Sequence, residues 1–211
     1  MMVKRHSSGF TLIELLVVMA IIGVLVGIGI AFLPAMLRQG PKTAVQTFLK
    51  TLSAAIETYK SNEEAYPPTS LEGFPGVGAL ANTENLGIEA VVVCLNSTRY
   101  TGSFDFTETQ GCKLENYDGD FTQVQITRFG DKSMFEAVDH WGTPYVYFNA
   151  QDYGRAEDLG KVSGAEGTIK CLPYKDPKLK RWARWDKFQI ISAGPDKVFN
   201  TGDDITDFER E

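Results

Sequence analysis

The apolar residues divide the chain into an N-terminal apolar run and a longer, more polar remainder. Residues 10–33 contain one charged residue, Glu14. A helix of this length spans about 36 Å, which exceeds the ~30 Å hydrocarbon core of a bilayer. Lys4 and Arg5 precede the run, and positive charge holds that end in the cytoplasm. The pattern predicts one membrane-spanning helix, with the rest of the chain outside the cytoplasm.

A second helical pattern follows, with apolar residues on one face only. Gly40-Pro41 favours a bend after which the helix resumes, and Tyr66-Pro67-Pro68 ends it around residues 61–62. We predict that residues 34–62 form the amphipathic half of one long helix, packed against a globular head of residues 63–211. The predicted buried stripe consists of Ala44, Val45, Phe48, Leu49, Leu52, Ala55, Ile56 and Tyr59.

The head contains several candidate strands. Tyr145–Phe148 and Phe188–Ser192 are predicted to pair in a small antiparallel sheet. Phe121–Phe129 alternates loosely and is a further candidate strand. The apolar run Ala90–Leu95 is compatible with a strand or a short helix, since periodicity does not separate them. Residues 70–130 are rich in Gly, Asn and Thr, and we interpret them as an insertion or variable loop region.

Composition and charge narrow the function classes. The 211 residues are 43% hydrophobic and 23% charged, with a formal net charge of −6. These values fit one domain plus an appendage, and they exclude a collagen, a disordered tail and a polytopic membrane protein. The acidic balance argues against a general nucleic-acid binder. Because the chain contains no nucleotide-binding motif, it is not predicted to be a motor.

The residues around Gly9 carry a specific resemblance. A short basic leader, Lys4-Arg5-His6-Ser7-Ser8-Gly9, is followed directly by Phe10-Thr11-Leu12-Ile13-Glu14. This arrangement resembles the signal of type IV pilins and of the pseudopilins of type II secretion, which an aspartyl prepilin peptidase cuts after the Gly. The resemblance implies that residues 1–9 are removed and that Phe10 becomes an N-methylated N-terminus.

Glu14 needs an explanation, because an unpaired carboxylate in hydrocarbon costs about 2.5 kcal/mol or more. The resemblance implies that Glu14 pairs with the Phe10 amine of a neighbouring subunit and sets the register of a helical filament. The alternative is a Glu that reaches the headgroups from a plain signal anchor.

Two segments of the head resemble the major pseudopilins. Asp139-His140-Trp141-Gly142-Thr143-Pro144-Tyr145 is similar to their D-P-W-G-x-P-Y segment, with His140 in place of Pro, and is interpreted as a packed aromatic in a rigid turn. The stretch from Ser192 to Ile205 resembles their calcium loop. A catalytic role for Asp139 and His140 is not favoured, since no Ser or Cys motif completes a triad.

The acidic loop is the candidate metal site. Hard oxygen ligands on a flexible loop favour Ca²⁺ over transition metals. The resemblance aligns Ser192 and Asp196 with the calcium motif and places Asp203 and Asp204 near its second acidic position, with Asn200 as a possible further ligand. The alternative is an Asx-rich surface turn without an ion.

The cysteines and the basic residues leave alternatives open. With Cys94, Cys112 and Cys171, at most one intramolecular disulfide can form; Cys94–Cys112 is the most local pair, and a bond to Cys171 remains possible. Residues 170–187 carry seven basic residues with Trp182 and Trp185. A solvated hairpin is favoured over single-stranded nucleic-acid binding, and contact with acidic neighbours in a filament is a third alternative.

The sequence therefore predicts a pilin-like α+β fold: a long N-terminal helix, a small antiparallel sheet and a C-terminal calcium loop. The resemblance implies a non-enzymatic major pseudopilin that polymerises with itself into a periplasmic filament driving protein export. Its expected partners are minor pseudopilins, the prepilin peptidase and methyltransferase, an inner-membrane platform protein with its ATPase, and the lipid bilayer, but no nucleic acid. The alternatives are a surface pilin for adhesion, motility or DNA uptake, and a membrane-anchored binding module that does not polymerise.

Overall fold

The computed structural model describes residues 11–100 and 102–210, with the backbone alone for residues 29–38. It has the predicted α+β class, and the chain divides into two compact units between Gly40 and Pro41. Helix α1 runs from Leu12 to Glu63. The helix continues through Gly40-Pro41, the step at which the sequence favours a bend. In the part of the chain that the structure describes, no helix is both long enough and apolar enough to cross a membrane.

The second half of α1 supplies one wall of the head core, as the apolar stripe predicts. Val45, Phe48, Leu49, Leu52 and Ile56 are completely buried, and Ala55 and Tyr59 pack partly buried beside them. Fully burying such a side chain contributes roughly 1.5–3 kcal/mol. The other members of this cluster include Tyr145, Tyr147, Phe188 and Ile190, from the two predicted strands.

The apolar run at residues 90–95 is helical. It belongs to α2 (Leu86–Asn96), in which every residue is buried. A helix that is apolar on all sides is a core helix and shows no one-sided period. It packs against β2 (Glu136–Val138) and β3 (Val146–Asn149), so the head core has a second helix that the sequence did not assign.

Three small antiparallel sheets occur among the described residues. One has the order β3-β6-β7, where β6 is Phe188–Ser192 and β7 is Ile205–Thr206; Tyr147 lies opposite Ile190. The second pairs β1 (Lys113–Glu115) with β2. The third is a hairpin of β4 (Lys161–Gly164) and β5 (Gly167–Lys170). Short helices occupy Ala150–Arg155, Ala156–Leu159 (α3) and Gly194–Asp196.

The candidate strand at Phe121–Phe129 is wrong. This segment makes only isolated bridges, Phe121 to Ser133 and Thr127 to Ser97. In a strand, Val124 and Ile126 would face the same side, but Val124 is exposed while Ile126 is buried. The Val124 N–H bonds instead to the carbonyl of Gly76 in a preceding loop.

The predicted Cys94–Cys112 disulfide is not formed, and Cys171 is also a free thiol. The three cysteines belong to three different apolar clusters: Cys94 packs with Leu71 and Met134, Cys112 lies beside the main core, and Cys171 packs around Tyr153. Cys94 lies in α2 and packs in a different cluster from Cys112, so the two cysteines that are nearest in the sequence do not pair.

Candidate functional site

The start of α1 holds the described part of the predicted assembly site; Gly9 and Phe10 lie outside the described residues. The Thr11 N–H and hydroxyl both donate to Glu14 Oε2, at 2.8 and 2.7 Å, and the Glu14 N–H donates to Thr11 Oγ1 at 3.3 Å. This reciprocal arrangement is a capping box. The spacing Thr11-x-x-Glu14 is the sequence signal for this cap. Glu14 therefore caps its own helix next to the predicted cleavage point.

The first turns of α1 also present an apolar surface. The side chains from Leu12 to Ile28 are exposed on every face. Exposed apolar surface of this extent marks a site of contact with protein or lipid. The segment that carries Glu14 is therefore suited to an apolar environment.

The Asp139–Pro144 turn packs against β6 through one buried carboxylate. Asp139 Oδ1 accepts from the N–H groups of Trp141 and Thr143, at 2.9 and 3.0 Å. Asp139 Oδ2 accepts the Ser192 hydroxyl at 2.7 Å. Burial raises the pKa of Asp139, and these hydrogen bonds oppose that shift. Ser192, a predicted calcium ligand, thus faces the turn.

The acidic loop brings two of the predicted ligands together. The Asp196 N–H donates to Asp203 Oδ2 at 3.2 Å, and Thr201 Oγ1 donates to Asp203 Oδ1 at 2.8 Å. Burial acts to raise the pKa of Asp203, but hydrogen bonds from Thr201 and Asp196 hold it below its usual range. Asp196 is exposed and Asp203 is partly exposed. Their carboxylate oxygens are a donor set that suits a hard cation.

The other three predicted ligands, including Ser192, are held by protein partners on other parts of the chain or by neighbouring backbone groups. The Asn200 amide exchanges two hydrogen bonds with the Leu172 backbone, at 2.9 and 2.8 Å. Asp204 Oδ2 accepts from the Asn200 and Thr201 N–H groups and from the Tyr174 hydroxyl. Ser192, Asn200 and Asp204 would each have to leave these partners in order to ligate an ion.

The basic segment is tied to α1 and to the C-terminus by ion pairs. Arg184 pairs with Asp207, whose side chain is fully buried, and lies 3.9 Å from Glu57. Lys187 Nζ lies 2.8 Å from Glu57 Oε1. Ser53 Oγ donates to Asp207 Oδ2 at 3.1 Å. These charges therefore hold the segment against the helix.

The tryptophans of the same segment lie under cations of the segment. Lys175 Nζ lies 4.2 Å from the centre of the Trp182 ring, and the Arg181 guanidinium lies 5.6 Å from that of Trp185. Trp182 also packs on Tyr153, with 5.6 Å between ring centres. A hairpin pairs residues 161–164 with residues 167–170, just before this segment, and Lys175 and Trp182 form an isolated antiparallel bridge within it.

Comparison with known proteins adds independent findings. The family model for the prokaryotic N-terminal methylation motif matches residues 4–30. The type II secretion system core protein G of Pseudomonas aeruginosa is 37% identical over 146 residues, which cover 69% of this chain and 76% of that protein. The protein of the same name from Aeromonas hydrophila is 32% identical over 81 residues, which cover 38% of this chain and 54% of that protein. No solved structure matches the chain.

Proposed function

The chain belongs to the family of the type II secretion system core protein G, and on that premise we propose that it polymerises into a periplasmic filament that drives protein export. It is a major pseudopilin, a structural subunit and not an enzyme. The observation that carries the proposal is the identity to the Pseudomonas protein over three quarters of that protein's length, joined to the methylation motif at residues 4–30.

The filament would be built through the N-terminal segment. We propose cleavage after Gly9, methylation of Phe10, and pairing of the Phe10 amine with Glu14 of a neighbouring subunit. Support comes from the matched motif and from the place of Glu14, whose carboxylate already accepts the N–H of Thr11, the residue after Phe10. The exposed apolar side chains from Leu12 to Ile28 support a bilayer or a bundle of like helices as the surroundings of this segment.

Two substitutions separate the charge of Glu14 from its capping contact. Glu14→Gln keeps an oxygen that accepts from Thr11, whereas Glu14→Ala loses both the contact and the charge. If the intersubunit pair needs the charge, both variants are cleaved after Gly9 yet form no filaments. Mass spectrometry of the mature N-terminus measures cleavage. Immunoblotting of the filament fraction measures assembly. Filaments formed by Glu14→Gln would show that capping alone matters.

The cellular role has its own test. Deleting the gene should leave secreted proteins in the periplasm, and the wild-type chain should restore their export while Glu14→Ala does not. Loss of surface fibres with intact secretion would favour the alternative, a surface pilin.

We further propose that the head is periplasmic, with the N-terminus anchored in the inner membrane. Minor pseudopilins, the peptidase and methyltransferase, and the platform protein with its ATPase are its proposed partners.

We also propose that Ca²⁺ binds at the C-terminal loop through Asp196 and Asp203; the hydrogen bond from the Asp196 backbone N–H to Asp203 Oδ2, which brings the two residues close together, supports this. An ion at 100 times its Kd would stabilise the native state by about 2.7 kcal/mol. For the full-length chain in detergent, we expect EGTA to lower the Tm. The part of this fall in Tm that is due to the loop should disappear in Asp203→Asn. It should persist in the control Asp158→Asn, which changes an exposed acid outside the loop. An equal shift in wild type and Asp203→Asn would contradict the proposal.

A further inference from the structure

Three carboxyl groups from separate parts of the head converge at one point. Glu89 lies in α2, Asp118 in the turn after β1, and Glu136 is the first residue of β2. One carboxylate oxygen from each lies within 4.8 Å of the other two. Within residues 11–100 and 102–210, no other group of three His, Cys, Asp or Glu side chains converges in this way. The C-terminal loop is elsewhere in the sequence and shares none of these residues.

Two of the three acids, Glu89 and Asp118, lack the hydrogen-bond partners that buried carboxylates normally have. Glu89 and Glu136 are fully buried, and Asp118 is partly exposed. All four carboxylate oxygens of Glu89 and Asp118 lack a hydrogen-bond partner, and no ion pair of the described residues involves the three acids. An isolated buried charge costs several kcal/mol, so this geometry requires either bound protons or a cation.

Hydrogen bonds hold Glu136 and the turn that carries Asp118 in place. The Asn85 amide donates to Glu136 Oε1 at 2.8 Å and also bonds to both the N–H and the carbonyl of Ser163. The Tyr117 N–H donates to Glu136 Oε2 at 3.2 Å. Asn116 Oδ1 accepts the Gly119 N–H at 2.8 Å, which closes the turn that carries Asp118. Each Glu136 oxygen keeps a lone pair for a further contact.

We propose that Glu89, Asp118 and Glu136 form a second cation site, which binds Ca²⁺. The ligands are all hard oxygens, which excludes a preference for soft metals. Three protein carboxylates at one ion are typical of Ca²⁺, because Mg²⁺ keeps several waters and uses one or two carboxylates. A divalent ion neutralises two of the three charges. Asp118 is partly exposed as a residue, although both of its carboxylate oxygens are buried, so the proposed site lies just beneath the surface.

The nearby Asp120 strengthens the case for a cation. It is buried, and its Oδ1 has no hydrogen-bond partner. Asp120, Asp118 and Glu136 all act on Glu89 as like charges, so the four acids repel one another when they are ionised. A cation between the acids would relieve this repulsion.

Calcium titration of the full-length chain in detergent, after treatment with EGTA and its removal, tests the proposal. Glu89→Gln and Asp118→Asn should each bind one Ca²⁺ fewer per chain than wild type by calorimetry. Glu72→Gln, at an exposed position, should bind the wild-type number. Asp203→Asn should retain this site whatever the C-terminal loop does, which separates the two calcium proposals.

Thermal melts check that the variants fold. In EGTA, Glu89→Gln should melt no lower than wild type, because the neutral amide cannot repel the neighbouring acids. Added Ca²⁺ should raise the Tm of wild type more than that of Glu89→Gln or Asp118→Asn. Equal calcium stoichiometry and Tm shifts in wild type and both variants would overturn the proposal, since protons would then satisfy the carboxyls. A response to Mg²⁺ equal to that to Ca²⁺ would overturn the assignment of the ion.

Discussion

Single residues in this head form hydrogen bonds to groups that lie far away in the chain. Asp139 holds its own turn with one oxygen and Ser192 with the other, across 53 positions. Asn200 holds Leu172 across 28 positions. The residue types predicted polar contacts in the C-terminal region, but partners so far apart are set by the fold of the sheet. This is why sequence similarity assigned Ser192 and Asn200 to a metal, while the structure gives them protein partners.

Gly194 is the residue on which the shape of the acidic loop most depends. Its φ is +72°, and a Cβ there would lie 2.4 Å from the Asp203 carbonyl oxygen. Gly194→Ala should therefore cost at least about 2 kcal/mol, from left-handed strain together with the clash. Urea unfolding measures the change. Gly202→Ala, with no atom within 4 Å of its Cβ, is the control, and equal stability of the two variants would refute this interpretation.

At the scale of elements, periodicity predicts those helices and strands that have one buried face and one exposed face. The stripe on α1 was read correctly because one face is buried and the other exposed. The strands at residues 145–148 and 188–192 were found from their β-branched and aromatic residues between turns. In contrast, α2 is buried on all sides, so its sequence shows no helical period of apolar and polar residues. The convergence of Glu89, Asp118 and Glu136 had no sequence signal, because it follows from the docking of α2.

The docking of α2 depends on a close backbone approach at its first turn. A Cβ on Gly87 would lie 2.0 Å from the Tyr147 carbonyl oxygen in β3. Gly87→Ala should therefore push the helix off the sheet and cost about 1–3 kcal/mol, as overpacking does. Chemical denaturation gives the size of the loss. The matched change Gly154→Ala meets no atom within 4 Å and should be nearly neutral; comparable losses in both would argue against tight docking.

At the scale of the whole molecule, the family was evident from a few residues at one end. Gly9, Phe10 and Glu14 identified the pilin-like signal, and the match at residues 4–30 agrees with it. The Trp141–Tyr145 turn and the strand after it extended the resemblance into the head. The cysteine pairing was not predictable, because it depends on which apolar cluster each thiol joins.

The stability of the head should not depend on redox conditions. Burial raises the pKa of Cys94 to about 11 and that of Cys112 to about 12, so both are protonated thiols near neutral pH. A thermal melt with and without a reducing agent should give the same Tm. Loss of a real disulfide would cost about 2–5 kcal/mol, so a clear fall in Tm on reduction would contradict the structure. Thiol alkylation before and after denaturation provides the count of free cysteines.

Because the three thiols lie in separate clusters, folding of the head competes with oxidation of its cysteines during maturation. In the periplasm, where we propose that the head folds, an oxidant meets the cysteines while they are still exposed, and thiolates react before they are covered. A Cys94–Cys112 bond formed at that moment would tether α2 to β1 and keep Cys94 from its place beside Leu71. Once α2 has docked, the same oxidant no longer reaches Cys94. The yield of assembly-competent subunits is then decided by how fast α2 packs relative to oxidation, which is a kinetic property that equilibrium stability does not measure.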